Sequence, residues 1–312
     1  MNFSKIQKIL IISLSNLGDI ILTTPVMAAL REQFPSAFIS VVVGPKGETL
    51  LNRSRTIDEV IVYRKKELNL IGKIKFVMAL RRKHFDLVID LRNTAMPFLT
   101  GARCFNSPFF DNRETQMRKR HLSRLQFLGI NESKNRFHFF SPEEEKAAQN
   151  KFSAAGLSNQ KPVITVAPGA GSYEKRWPIQ HYAEIARHFQ SKGFQIAVVG
   201  SRDEKVLGDE ILKDSGGGMV NLCGILEIRE LAAFLIQVSL LISNDSAVMH
   251  LANELEKPVV AVFGPTDDRK YAKSGLKNRV IREGFELRNE MTDIQTQTVI
   301  RVSEELLNAP GN

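Results

Sequence analysis

The sequence predicts an α/β protein with parallel sheets, arranged as two halves of similar size, and three observations carry that expectation. Short β-branched runs alternate with longer amphipathic stretches along all 312 residues. The runs are apolar at nearly every position, as strands covered on both faces are, rather than alternating as half-exposed strands do. Four runs precede residue 100 and four follow residue 160, with turn-rich sequence between the two sets.

Taken in order, the first set is Ile9–Leu14, Phe38–Val43, Val60–Tyr63 and Leu87–Leu91. The second is Val163–Ala167, Phe194–Val199, Leu240–Ser243 and Val259–Phe263. Segments between them carry helical spacing, as in Tyr182, Ile185 and Phe189, or Leu231, Phe234, Leu235 and Val238. Strand and helix in strict alternation point to two Rossmann-like domains. Ser141-Pro142-Glu143-Glu144-Glu145 reads as a helix start, with proline in the first turn and acids beside the helix dipole. Asn159-Gln160-Lys161-Pro162 reads as a break before a new strand. The expected domains are therefore 1–158 and 159–312. The terminal helix, Thr296 to Leu307, carries no signal for either domain, and packing back onto the first is one option.

Bulk composition excludes several classes. No apolar stretch approaches the roughly 18 residues of a membrane span, and Asp19 and Pro25 follow Ile9–Ile12 where a signal peptide needs small residues. A cytoplasmic protein is expected, with peripheral contact at the inner membrane as an option. Two cysteines, Cys104 and Cys223, give neither a disulfide framework nor a zinc spacing. The net charge of +9 favours anionic partners. Aromatic interleaving suited to single-stranded nucleic acid is absent from the main basic stretch, and no nucleic-acid partner is expected.

Five segments carry candidate chemistry. In "SLSNLGDIILTTP", residues 13–25, Gly18 and Asp19 follow the first strand. Helix capping explains an acid there, and so does general-base catalysis, with Gly18 letting the loop turn close to a substrate. In "APGAGSYEKRWP", residues 167–178, Gly169, Ala170 and Gly171 let backbone amides approach an anion. Ser172 adds a hydroxyl and Lys175 a mobile cation. In "SNDSAVMHLANELEKP", Asp245 and Ser246 open a helix whose first amides would attract a diphosphate, and His250 lies one turn on. Pure capping by Asp245 and a packed His250 are the plain alternatives. In "VVGSRDEK", Asp203 or Glu204 could accept hydrogen bonds from a ribose or sugar, or simply cap. Finally "RETQMRKRHLSR", residues 113–124, holds Arg113, Arg118, Lys119, Arg120, His121 and Arg124, either a solvated face or a dock for an acidic acceptor.

Taken together, these segments resemble the heptosyltransferases of glycosyltransferase family 9, which build the inner core of lipopolysaccharide. "ILIISLSNLGDIILTTPVMAALREQFP" resembles the opening strand, loop and helix of that family, and "VVVGPKGETLLNRSRTIDEVIVY" its second unit. "PGAGSYEKRWP" is similar to the signature P-G-x5-K-x-W-P, and "SNDSAVMHLANELEKPVVAVFGPTD" to the block N-D-S/T-G-P-M-H followed by F-G-P-T. Ala247-Val248 stands where the family usually has Gly-Pro.

The resemblance implies a GT-B architecture, two Rossmann-like domains with parallel sheets facing across a cleft. It implies inverting transfer of a sugar from a nucleotide donor, typically ADP-heptose, onto a lipopolysaccharide core or related acidic glycolipid, with no metal or cofactor. The donor would sit on the C-terminal domain, at Gly169, Ser172, Lys175, Glu204, Asp245, Ser246, Ala247 and His250. The acceptor would sit on the N-terminal domain, where the residues themselves offer Gly18 in the first loop and Arg118, Lys119, Arg120 and Arg124 in the basic stretch as candidates. Asp19 falls on the general base, and Lys175 on the lysine beside the donor phosphates. A different nucleotide-sugar donor, a nucleotide-sugar epimerase and a basic anion-binding module are the alternative functions. A dinucleotide oxidoreductase is disfavoured, since no G-x-G-x-x-G follows the first strand.

Overall fold

The computed structural model describes residues 5–106, 114–273, 275–283 and 290–309. The chain divides into two compact units, Met1–Phe139 and Phe140–Asn312.

The first unit opens with β1 (Lys8–Ile12), α1 (Leu17–Ile21), α2 (Thr24–Gln33), β2 (Phe38–Val43), α3 (Pro45–Leu51) and β3 (Glu59–Val62). It continues with α4 (Leu70–Arg81), β4 (Leu87–Asp90), α5 (Met96–Thr100), β5 (Cys104–Phe105) and α6 (Met117–Leu122). All its strands pair in parallel in the order β3-β2-β1-β4-β5, with Ile11 opposite Val41 on one side and Ile89 on the other. Ile9, Leu10 and Ile11 are fully buried, as the uninterrupted apolar run requires.

The second unit begins with α7 (Pro142–Ala154), β6 (Val163–Ala167), α8 (Ile179–Ser191), β7 (Gln195–Val198), α9 (Lys205–Asp214), β8 (Val220–Asn221) and α10 (Ile228–Gln237). There follow β9 (Leu240–Asn244), α11 (Ala247–Glu254), β10 (Val259–Val262), α12 (Asp268–Tyr271), β11 (Asn278–Ile281) and α13 (Thr296–Leu307). The strand order is β11-β10-β9-β6-β7-β8, again parallel throughout. Its core holds Trp177, Tyr182 and Phe189 beneath the sheet, together with Val299 and Leu306 of α13. The terminal helix therefore packs on the second unit, and Glu304 accepts from His188 at 2.8 Å there.

Two differences from the sequence reading have clear causes. The units part at 139/140, ahead of the expected 158/159, because α7 belongs to the second unit. Its Ser141/Glu144 capping box starts the helix as expected, and Glu144 then pairs with the buried Arg229 of α10 at 2.6 Å. Lys151 pairs with Glu230 at 2.6 Å, and Phe152 packs on Phe234. Such partners are invisible in a linear reading. The strands β5, β8 and β11 add to the eight apolar runs: two are only two residues long, and all three are edge strands, whose outer side needs no apolar cover.

Candidate active site

In an open parallel sheet a ligand crevice forms at the carboxyl edge where strand order reverses. That point lies between β6 and β9 in the second unit and between β1 and β4 in the first. Most of the candidate residues lie on loops leaving these strands.

In the second unit the crevice is tied together by one amide. Asn244, the last residue of β9, accepts from the Tyr182 hydroxyl at 2.8 Å and the Trp177 backbone at 3.2 Å, and donates to the Pro168 carbonyl at 2.7 Å. It is fully buried, so these bonds fix the loop after β6 against the end of β9. Trp177 anchors the far end of the same loop, its indole N–H donating to the Ile294 carbonyl at 3.0 Å and its ring stacked on His181. Burial raises the Tyr182 hydroxyl well above its ordinary pKa and keeps it a donor.

On that frame Lys175 Nζ meets Asp245 Oδ2 at 2.8 Å, and His250 Nε2 stands 3.8 Å from Asp245 Oδ1. The Asp245 and His250 side chains are buried, whereas Lys175 keeps a third of its side chain exposed. One carboxylate thus lies between an ammonium and an imidazole, with the ammonium end open to solvent. Ser246 caps α11, its hydroxyl accepting from Met249 N at 3.4 Å and lying 3.0 Å from the Ser243 hydroxyl. Ala247 and Val248 are the first two helical residues, so neither glycine nor proline is needed for the helix to start.

Glu204 overhangs the same edge. A methyl group built on Gly169 would come 1.9 Å from Glu204 Oε1, and one on Gly200 would come 2.8 Å from Oε2. Both glycines therefore admit the carboxylate against the backbone. Glu204 also accepts from Ser201 N at 2.7 Å in a capping box, so it caps and overhangs at once. Asp203 beside it is exposed. The thiol of the buried Cys223 is pushed up to about 12 by burial and by the nearby Glu204 charge, which leaves it an inert thiol. On the loop after β6, Ser172 is exposed. The Glu174 carboxylate is held below its usual range by its own backbone N–H and by the Ser172 hydroxyl. A cavity of about 670 Å³ opens beside this loop, lined by Pro168, Tyr173, Trp177, Leu207 and Pro265 among others; Lys175, Asp245 and His250 form no part of its wall.

The first unit is built differently. Asp19 sits in the first turn of α1, half-buried, and among the described residues its one hydrogen bond comes from Asn16 Nδ2 at 3.1 Å. It does not accept from the Asn16 backbone, so it is no capping-box acid. Gly18 corrects an expectation: it lies inside α1 with no positive φ and is not the turn residue. Close approach happens instead at Gly44 after β2, where a methyl group would come 2.8 Å from Ser15 Cβ.

The basic stretch is also not one surface. Arg118 pairs with Glu132 at 2.6 Å, and Arg124 and His121 are turned into the unit, while Lys119 stays exposed. Arg113 lies outside the described residues. His121 is pushed down to about 4 by burial and by the neighbouring Arg124 and Arg120. Arg124 lies within reach of the Asp90 charge. Asp90, which ends β4 on the other side of the crevice, belongs to no motif in the sequence. It accepts from Arg92 N, Thr94 N and Thr94 Oγ1 at 2.6–2.8 Å, a closed turn signalled only by an acid at a strand end.

A profile of glycosyltransferase family 9 (heptosyltransferase) matches residues 116–299, more than half of the chain. The chain belongs to glycosyltransferase family 9. It is a glycosyltransferase, and its two parallel-sheet α/β units are those of the GT-B architecture. Among curated relatives of this family 9 chain, lipopolysaccharide heptosyltransferase 2 of Escherichia coli (strain K12) is 27% identical over 88% of each chain. The solved ADP-heptose lps heptosyltransferase II of E. coli is 25% identical, with a TM-score of 0.77 over 96% of this chain and 98% of that one. A family 9 glycosyl transferase from Veillonella parvula DSM 2008 shares the fold with a TM-score of 0.82 at 24% identity, over 96% and 97%. The profile match takes in the whole β6 to β10 region, where Asn244, Lys175, Asp245 and His250 meet.

Proposed function

We propose that this chain transfers a heptosyl group from ADP-heptose to a hydroxyl of a lipopolysaccharide core, inverting the anomeric carbon and using no metal ion. The observation that carries the reading is the Lys175–Asp245–His250 group at the β6/β9 crevice, beside the start of α11. A diphosphate needs such a place: an ammonium and helix amides for its charge, held by contacts that do not depend on the ligand.

In this reading Asp19 takes the proton of the acceptor hydroxyl as its oxygen bonds to the anomeric carbon. The bond from that carbon to the diphosphate oxygen breaks, and ADP leaves with the electron pair. Lys175, the amides at Ala247 and Val248, and the Gly169–Ser172 loop stabilise the charge that develops on it. Asp245 holds Lys175 and His250 in place. Glu204 accepts from donor hydroxyls, a role suited to a carboxylate seated on two glycines at the strand edge. Lys119, which stays exposed, and Arg120 beside it meet the anionic groups of the acceptor. A lipid-borne acceptor also implies contact with a membrane surface, and no described helix is long and apolar enough to cross one.

The test is mass spectrometry of reactions with ADP-heptose and a lipid-free core oligosaccharide. The acceptor should gain one heptose and release ADP. Conversion of the nucleotide sugar with no acceptor present would make the chain an epimerase, and transfer from another nucleotide sugar only would overturn the donor. Lys175→Ala should weaken ADP binding roughly 10- to 100-fold by calorimetry, as loss of a charge-assisted bond does; unchanged affinity would remove Lys175 from the phosphates.

A further inference from the structure

The helix α4 has a surface that the transferase chemistry does not use. Its sequence, Leu70-Ile71-Gly72-Lys73-Ile74-Lys75-Phe76-Val77-Met78-Ala79-Leu80-Arg81, holds three cations and no acid, and is apolar around most of its circumference. One face is accounted for: Leu80 is buried in the first unit's core, and Phe76 packs there, stacked on Tyr63. The other face is not. Leu70, Ile71, Ile74 and Met78 are 73%, 62%, 56% and 45% exposed. Helices apolar all round are ordinarily covered all round, and clustered large apolar side chains on a surface mark an interaction site.

Geometry gathers these residues into a stripe. Leu70, Ile74 and Met78 follow one another at four-residue steps, with Ile71 on the adjoining row, so they share one side of the helix. Arg82 continues the first row and Lys75 the second. Beside α4, Phe98 and Leu99 of α5 are 52% and 48% exposed, which extends the apolar area.

Charge decides what covers it. Residues 64–84 contain eight Lys and Arg against the single Glu67, a net +7 out of the whole chain's +9. Arg64 and Lys83 have carboxylate neighbours, Glu48 and Glu67 for the one and Glu59 for the other. Among the described residues no carboxylate pairs with Lys65, Lys66, Lys75 or Arg82, all of them exposed. A second copy of the chain would set +7 against +7, so self-association is disfavoured. An apolar stripe bordered by unpaired cations matches an interfacial helix on an acidic bilayer surface, the side chains entering the acyl boundary and the cations meeting lipid phosphates.

We propose that the outward face of α4, with Phe98 and Leu99, is a docking surface for a leaflet of anionic phospholipid. In a parallel α/β unit the helices run back from the carboxyl edge of the sheet, so Leu70 and Ile71 begin near the edge that carries Asp19. Docking there would hold that edge close to a lipid-borne acceptor. This purpose rests on the transferase reading; the binding itself does not.

The test is flotation of the full chain with vesicles of phosphatidylethanolamine containing phosphatidylglycerol, against phosphatidylcholine vesicles. The chain should float with the anionic vesicles, weakly or not at all with phosphatidylcholine, and less as salt is raised. The double variant Ile71→Glu/Ile74→Glu and the separate variant Lys65→Ala/Lys66→Ala/Lys75→Ala should each lose binding about tenfold or more, with unchanged turnover of a lipid-free acceptor. Because the two variants alter different chemistry, a folding defect in one leaves the other decisive. Failure of the unaltered chain to bind anionic vesicles overturns the proposal, as does full binding by both variants. A dimer in sedimentation that the Ile71→Glu/Ile74→Glu variant dissolves, with vesicle binding unchanged, would assign the face to a second copy and also overturn it. Loss of soluble-acceptor turnover in the unaltered chain would strike the transferase reading and leave vesicle binding untouched.

Discussion

The two sheets share a topology but equip their crevices in opposite ways. At β6/β9 nearly every polar group is tied: Asn244 joins three partners, and Asp245 stands between Lys175 and His250. At β1/β4 the carboxylate of interest, Asp19, has a single side-chain partner and stays half-buried, while the fully tied acid is Asp90, closed into its own turn. A diphosphate is bound well by charges fixed in advance, because fixed dipoles need no reorganisation when it departs. A general base must keep a lone pair available for the incoming proton. Under the proposed transfer, the second unit would supply the preorganised charges and the first unit the open carboxylate.

Four perturbations break or sharpen that contrast. The largest effect is expected at the open carboxylate. Asp19→Ala should cut turnover by about 10²–10⁴-fold while ADP affinity and the thermal midpoint stay close to those of the unaltered chain. Normal turnover would remove it from the base role and reduce the contrast to a difference in packing.

Next comes the tie itself. Asn244→Ala leaves the Tyr182 hydroxyl, the Trp177 backbone N–H and the Pro168 carbonyl without their partner, a loss of roughly 3–4 kcal/mol that urea unfolding would register. A loss well under 1 kcal/mol would mean that the second crevice is no more rigid than the first.

The first unit has its own stability signature, in pH. His121 is kept neutral in the fold, with its pKa lowered from 6.5 to about 4, so its contribution is complete above pH 6.5 and is lost as pH falls toward 4. The change is of order 3 kcal/mol, and His121→Gln should flatten that part of the stability–pH curve measured by denaturant titration. An unchanged curve would show that His121 is not held neutral.

The smallest effect separates seat from stability. Gly169→Ala should push the flexible end of Glu204 aside at a cost below about 1 kcal/mol, yet weaken ADP binding several-fold. Equal affinity for ADP in this variant and in the unaltered chain would leave Glu204 as a cap and nothing more.

Much of this molecule is legible in the order of its residues. Eight of the strands announce themselves as apolar runs, and for all but the half-buried edge strand β3 the reason is that a strand covered on both faces has no polar side to show. The start of α7 is visible in Ser141 to Glu145, because a proline in the first turn and acids beside the helix dipole are local signals. Lys175, Asp245 and His250 could each be marked from motifs, as could the overhanging Glu204.

What the residues could not reveal one at a time was who meets whom. Glycine permits a turn at position 18, but the backbone places Gly18 in a helix and gives the close approach to Gly44, which follows the neighbouring strand β2 and meets Ser15. The stretch from Arg118 to Arg124 reads as one basic face, and only the packing of α6 sent Arg124 and His121 inward and left Lys119 outside. The same holds for α4, whose letters alone resemble a core helix. Sequence determined the elements and the residue types at the strand ends, because periodicity and capping are local. Tertiary structure decided which charges are paired, which carboxylate stays open and which apolar face has no cover, because each depends on neighbours distant in the chain.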